Sequence, residues 1–406
     1  MDTPQPRETL RTRCCIVGGG PAGMMLGFLL ARQGIDVVVL EKHADFLRDF
    51  RGDTIHPSTL EVMHELGLLQ DFLARPHQET QNVSLVVGGE TLKIGDFSHL
   101  PTRCKFIAFM PQWDFLDFLA DHAREYPHFH LRLLAEATDL IEERGRVSGV
   151  RVTTPDGPLD VRADLVVAAD GRRSLMREKA GFEILDIGAP MDVLWMRVSK
   201  LPGDPSQLLG RIEAGQMLVM IDRGAYWQCA YLIPKGTVEQ FRQEGLAAFR
   251  AKLAGLAPFL GDRVEELQSW DDVKLLTVAV DRLKQWFKPG LLCIGDAAHA
   301  MSPVGGVGIN LAIQDAVATA NILGPRLEHG AAGPDALALV QKRREWPTRM
   351  TQGFQVLLQN RLIDPVLNSK GPVSAPWLVR LLARWPLFRR LPARLIGIGF
   401  RPEHVR

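Results

Sequence analysis

The run from Cys14 to His43, CCIVGGGPAGMMLGFLLARQGIDVVVLEKH, constrains this chain more than any other stretch. It reads as an apolar strand, a turn with Gly18, Gly20 and Gly23 in G-x-G-x-x-G spacing, an apolar helix, and the strand IDVVVLEKH. That order spells a βαβ unit, in which the helix is the crossover that two parallel strands require. Gly18 permits the turn, Gly20 lets the backbone approach a pyrophosphate, and Gly23 lets the helix lie close to the strand. Glu41 follows Gly23 by 18 residues, at the end of the second strand. A carboxylate there accepts hydrogen bonds from both ribose hydroxyls of an adenosine and repels a 2′-phosphate, so the unit predicts a dinucleotide site that disfavours NADP as its tight ligand.

Two more strands run into loops of unusual composition, DLVVAADGRRS (164–174) and GLLCIGDAAHAMSPVGGVGIN (290–310). Both apolar runs stop at an Asp beside a Gly. Strands that are apolar throughout are buried on both faces, and ligands of doubly wound sheets collect at the carboxyl ends of such strands. In the later loop Asp296 ends the strand, then Gly305, Gly306 and Gly308 open a helix with Asn310 in its first turn. A glycine-rich helix start lays bare amides against a flat ligand, and its partial positive charge favours an anion by about 0.3–1 kcal/mol. A reduced flavin is such an anion, which points to FAD over NAD.

Between these loops, residues 186–285 hold alternating segments such as VLWMRVSK, QMLVMIDR and YWQCAYLIP, the pattern of an antiparallel sheet with one face covered. This is the candidate substrate domain, with Trp195, Met220 and Trp227 as candidate apolar linings, and the stretch NVSLVVGGETLKIGDF (82–97) is expected to join it. The expected fold is α/β: a Rossmann-type FAD-binding domain (1–81, 98–185 and 286–345), an inserted, mostly antiparallel β-sheet substrate domain (82–97 and 186–285), and a C-terminal helical segment (346–406).

Of the 406 residues, 46% are hydrophobic and 23% charged, with a net charge of +1, so nothing global points to disorder or to nucleic acid. Five cysteines with no C-x-x-C pair predict a reducing compartment, hence the cytoplasm, and no metal site. The opening MDTPQPRETLRTR lacks an apolar run, so no secretory signal is expected. No apolar run approaches the roughly 18 residues of a membrane-spanning helix.

With the glycine turn, DGRRSLMR and GDAAHAMSPVGGVGIN in this order, the chain resembles the FAD-dependent aromatic hydroxylases of the para-hydroxybenzoate hydroxylase fold, the group A flavoprotein monooxygenases. The resemblance implies that Glu41 holds the adenosine ribose and Asp296 the ribityl chain. It implies that Gly306, Val307, Gly308, Ile309 and Asn310 face the pyrimidine edge of the flavin, with Gly295 and Pro303 in the same loop. Gly18, Gly20, Pro21, Ala22, Gly23 and Lys42 would complete the adenosine side. Arg51 and Gln112 match the family's flavin-contacting Arg and Gln, and Asp170 and Gly171 would serve both FAD and the visiting nicotinamide. The family often has Gln where Val307 stands, so any side-chain role at that position is in doubt.

The implied reaction has NADH or NADPH as transient reductant and O2 adding at the flavin C4a carbon. The resulting hydroperoxide hydroxylates an electron-rich aromatic or quinone-precursor substrate, with no catalytic side chain required. Alternatives on the same fold are a flavin-dependent halogenase, an isoprenoid-lipid reductase or a non-catalytic flavin-binding protein. The halogenase pattern W-x-W-x-I-P fails in YWQCAYLIP, where Cys229 stands at the place of the second Trp. His299 and His56 read more readily as structural residues than as catalysts.

The last stretch, PWLVRLLARWPLFRRLPARLIGIGFRPEHVR (376–406), has seven arginines against one acid, Glu403. It reads first as a helical cap with its arginines in water, and second as a basic amphipathic segment in weak contact with an anionic membrane surface.

Overall fold

The computed structural model describes residues 8–47, 54–205, 210–330, 332–371, 373–375 and 377–406. Its first sheet is built on Glu8–Val17, which pairs in parallel with Val37–Leu40 on one side and Gly157–Ala168 on the other. Phe129–Arg132 and Leu291–Cys293 extend the parallel array at either flank. Arg146–Thr154 and Glu136–Glu143 add an antiparallel extension to Gly157–Ala168. Cys14, Cys15, Ile16, Val37, Leu165, Val166, Val167 and Leu292 are all buried, as strands covered on both faces require. Helices α1 (Pro21–Arg32), α2 (Gln112–Ala123) and α3 (Gly308–Glu328) share their apolar core with this sheet.

The chain passes to the second sheet and returns through a short antiparallel pair, Ile184–Asp186 with Asp281–Leu283. The second sheet has seven strands in the order Lys274–Leu276, Met191–Ser199, Tyr226–Pro234, Gln216–Asp222, Gly210–Glu213, Asn82–Val87, Glu90–Asp96. All its pairings are antiparallel except Gly210–Glu213 with Asn82–Val87. The fold is therefore α/β, with a Rossmann-type sheet, a largely antiparallel second sheet and C-terminal helices.

Helix α4 (Pro334–Leu358) runs unbroken across the expected 345/346 boundary. Leu337, Val340, Arg344, Pro347, Thr351 and Gln355 are buried at helical spacing on both sides of that point, so a single inner face carries the helix through. Beyond it, Ile363, Val366 and Leu367 pack on the second sheet. Helices α5 (Trp377–Arg384) and α6 (Pro386–Gly397) then lie along the edge strand Glu90–Asp96.

Candidate functional site

Val17, Ala168 and Cys293 are neighbours in register across the three central strands, so the loops that follow them leave the sheet side by side. The first is the glycine turn. Gly18 has φ +108°, and a Cβ there would lie 2.4 Å from the Ala169 carbonyl oxygen; a Cβ on Gly23 would lie 1.9 Å from that of Gly18. A Cβ on Gly20 would meet nothing within 4 Å, and α1 starts there without a side-chain cap. The first-turn amides of α1, which have no partner inside the helix, thus face open space that an anion fits. Glu41 is buried at the turn, accepting from the Gly19 N–H at 3.1 Å and the His43 N–H at 3.1 Å. Lys42 is exposed beside it.

The second and third loops carry Asp170 and Asp296. Asp170 accepts from the Met176 N–H at 3.1 Å, while its other oxygen is buried without a hydrogen-bond partner, and burial holds its carboxyl above the usual range. Gly171, at φ +84°, has open space where a side chain would stand. Asp296 is half-buried and meets Arg172 at 3.5 Å. A Cβ on Gly295 would lie 3.1 Å from that of Ala22. The glycine cradles, the uncapped helix start and the orphaned Asp170 oxygen fit an extended dinucleotide lying across the three loops.

Not every implied contact can be a side-chain contact. Asn310 spends its amide on the protein: Oδ1 accepts from the His56 N–H at 2.9 Å and the Thr59 hydroxyl at 2.7 Å, and Nδ2 donates to the carbonyls of Thr54 and Gly306. The Val307 side chain packs with Met301, Leu311 and Ile396, and Ile309 joins the core. Asn310, Ile309 and Gly308 can offer a ligand their main-chain amides, which open α3 without a side-chain cap. Pro303 is half-buried at the start of this loop, and a Cβ on Gly306 would lie 2.7 Å from the Thr54 hydroxyl. Gln112 is the first residue of α2 and half-buried. Arg51 lies outside the described residues.

Behind the third loop sits a polar cluster that sequence spacing did not reveal. Asp315 of α3 accepts from the Gly295 N–H at 3.0 Å, holds His299 Nε2 at 2.6 Å and takes Arg344 Nε at 2.9 Å. Arg344 reaches on to Glu403 at 3.3 Å, and Arg343 closes on the same carboxylate at 2.6 Å. Burial pushes the Asp315 carboxyl up, but His299 and Arg344 together outweigh it and leave it below its usual value. His299 is thus a brace of the loop. His56 is fully buried, with Nδ1 2.6 Å from the Ile396 carbonyl and Nε2 unpartnered; burial, against that bond, lowers its pKa to about 4. A cavity of about 20 Å³ beside Asn310, Gln314 and Arg344 has room for about one water and none for a substrate.

The second sheet sorts its candidates by face. Met220 and Trp227 are buried under the helix Leu246–Leu256 and the turn 258–266, together with Leu194, Met196 and Tyr231. Trp227 also donates from Nε1 to Asp204 at 2.8 Å. Side chains alternate along a strand, and Met220 and Trp227, expected as substrate linings, belong to the face that the helix Leu246–Leu256 covers. Trp195 and Val219 lie on the opposite face, packed with Phe97, Phe109 and Ile221, and against a second apolar cluster that Val304 of the third loop also joins. The Trp195 indole N–H is buried without an acceptor among the described residues. All five cysteine thiols are pushed up by burial, so none is poised as a nucleophile.

The family described as "FAD binding domain" matches residues 11–353. A 6-methylpretetramide 4-monooxygenase of Streptomyces rimosus is 33% identical over 410 residues, covering 99% of this chain and 96% of that protein. A dialkyldecalin synthase of Streptomyces rugosporus is 28% identical over 316 residues, covering 74% of this chain but 63% of its own length. The crystal structure of pqsL, described as a probable FAD-dependent monooxygenase from Pseudomonas aeruginosa, superposes with a TM-score of 0.74 at 22% identity, over 88% of this chain and 97% of that one, a likeness of fold.

Proposed function

The chain belongs to the FAD-dependent aromatic hydroxylase family, and from that premise we propose that it hydroxylates a multi-ring aromatic of the kind named for its Streptomyces rimosus relative. It is an FAD-dependent monooxygenase that draws on NAD(P)H and O2. When bound, FAD supplies the redox chemistry; the protein binds it, orients the substrate and keeps water out.

We assign the adenosine ribose to Glu41, the pyrophosphate to the α1 amides after Gly20, the ribityl chain to Asp296 and the pyrimidine edge to the amides of residues 306–310. The orphaned Asp170 oxygen and the open space at Gly171 support a role for that loop in holding cofactor. The substrate would lie against Trp195, Val219 and Ile221, with the Trp195 N–H as donor to one of its oxygens. The observation that carries this reading is the unpartnered indole N–H on an otherwise apolar face turned to the third loop. The cytoplasm is the proposed compartment, supported by five buried, free cysteines.

The test is a panel of phenols, quinone precursors and multi-ring polyketides, scored by substrate-stimulated NAD(P)H oxidation, oxygen uptake and product mass. A mass gain of one oxygen is expected for a multi-ring compound. Conversion without oxygen uptake would instead favour a cyclising role like that named for the dialkyldecalin relative, and release of FMN on denaturation would overturn the assignment of Glu41.

A further inference from the structure

Most large apolar side chains among the described residues are buried, and of the exceptions, which include Trp346 and Leu357 on α4, the densest group lies at one corner. Where α5 meets α6, residues 384–388 are all exposed, and Trp385, Leu387, Phe388 and Leu391 turn 48–67% of their surface to solvent, with Trp377 at 71% on the same helix pair. The inner sides of these helices are already occupied: Val379 and Ala383 pack on the second sheet, and Ala393 and Ile396 pack beside Phe97 and Phe109. The outer apolar side chains are therefore exposed among the described residues.

Along this stretch of the sequence the charge is of one sign, although Asp96 of the edge strand lies within electrostatic reach of Arg390. No Asp or Glu lies between Asp364 and Glu403, whereas Lys370, Arg380, Arg384, Arg389, Arg390, Arg394 and Arg401 all do, in a chain whose overall charge is +1. Arg389 is tied down by the Leu382 and Ala383 carbonyls and Arg390 meets His99 at 3.2 Å, while Arg384 is exposed. No described helix is long and apolar enough to cross a membrane, so a lipid-facing role here is interfacial.

We propose that the α5–α6 corner docks on an anionic lipid bilayer, with Trp377, Trp385, Leu387, Phe388 and Leu391 entering the headgroup boundary and the arginines meeting lipid phosphates. Tryptophan and arginine are the residues that suit that boundary, the first through its amphipathic ring and the second through planar contacts to phosphate. A soluble acidic protein would satisfy the charge but leave unexplained why the exposed apolar side chains cluster here, whereas a bilayer accepts both. The far end of α6 reaches the substrate face, where the Ile396 carbonyl holds His56. A docked enzyme would therefore hold that face close to the lipid surface.

The test uses the full-length, FAD-loaded protein and sedimentation with vesicles of phosphatidylglycerol mixed equally with phosphatidylcholine, against phosphatidylcholine alone. Binding to the anionic vesicles at low salt, weakened at high salt, is expected. Arg384→Gln should weaken it by roughly fivefold and the pair Leu387→Glu with Phe388→Glu by more than tenfold. Leu357→Glu, an equally exposed site on α4, should leave it unchanged. Because the readout is sedimentation and not turnover, it stands or falls apart from the proposed substrate. No binding to anionic vesicles at low salt overturns the proposal, as does binding indifferent to the Leu387 and Phe388 pair. So does light scattering that shows a dimer which the same pair converts to monomer, since the corner would then face a second copy.

Discussion

At the parallel sheet, a methyl group added to Gly18, Gly23 or Gly306 would come within 2.4, 1.9 or 2.7 Å of another atom. At the antiparallel sheet, the surface turned to the same space is made of Trp195, Val219 and Ile221, whose identities no backbone contact dictates. In the proposed reading the first region would bind with main chain, so its residue types are fixed by space and by the need for φ > 0. The second would bind with side chains, so one sheet could serve many substrates while the cofactor loops stay the same. Changes at the first should therefore cost stability or cofactor, and changes at the ligand-facing side of the second should cost selectivity.

The largest effect is expected where the cofactor loop is braced from behind. Asp315→Ala leaves Arg344 and His299 buried without their shared carboxylate, and should cost about 3–5 kcal/mol in urea unfolding. Acid should act in the same direction. The folded Asp315 lies below its usual value, so its contribution is complete above the unfolded aspartate pKa of about 3.9 and is lost as pH falls through the folded value. A wild-type midpoint insensitive to Asp315→Ala would show that the third loop stands without this cluster.

Next comes His56, which joins the 54–59 loop to α6. An unfolded histidine takes up its proton near pH 6.5, and the folded one at about 4 because burial outweighs the Ile396 bond. Between those values only the unfolded chain is protonated, so stability is complete above about pH 6.5 and declines toward pH 4 by about 3 kcal/mol. His56→Gln should flatten that slope. A slope unchanged by the substitution would assign the acid sensitivity to other groups.

Asp296→Ala tests the cofactor loops more gently. Its carboxylate meets Arg172 at 3.5 Å in a half-exposed setting, so its removal should leave unfolding nearly unchanged. Charged hydrogen bonds to ribityl hydroxyls are worth about 1.5–3 kcal/mol, so FAD affinity should fall roughly tenfold or more. Flavin absorbance per protein after dialysis reads this directly, and full occupancy in the variant would separate Asp296 from the cofactor. Glu41→Ala should lose FAD as well, and also loosen the turn, because the Gly19 and His43 amides lose their acceptor.

How much of this was legible beforehand follows the same division. The glycine turn, the two Asp-Gly loops and the alternating strands could be read because each is a local pattern, and local patterns set main-chain geometry. The brace could not, since His299, Asp315, Arg344 and Glu403 are spread over three elements and a tail, and no spacing joins them. Nor could the face of Met220 and Trp227 be assigned. Alternation divides a strand into two faces but does not say which faces the cofactor; here the helix Leu246–Leu256 covers theirs.

The smallest expected effect is also the sharpest test of the division, because it compares the two faces of one sheet. Trp195→Phe keeps an aromatic ring but removes part of the indole together with its N–H, which has no acceptor among the described residues. The melting temperature should fall only slightly, through the packing lost with the smaller ring, since no hydrogen bond to a described residue is broken. If that N–H serves the substrate, KM should rise about fivefold, the equivalent of about 1 kcal/mol for a single hydrogen bond. Met220→Leu is the matched control on the far face, buried among Leu218, Cys229 and the helix above, where a volume-conserving change should cost less than about 1.5 kcal/mol. It should alter neither KM nor kcat. Equal kinetic effects from the two substitutions would mean that the sheet does not separate a ligand face from a structural one, and the substrate would have to be sought elsewhere.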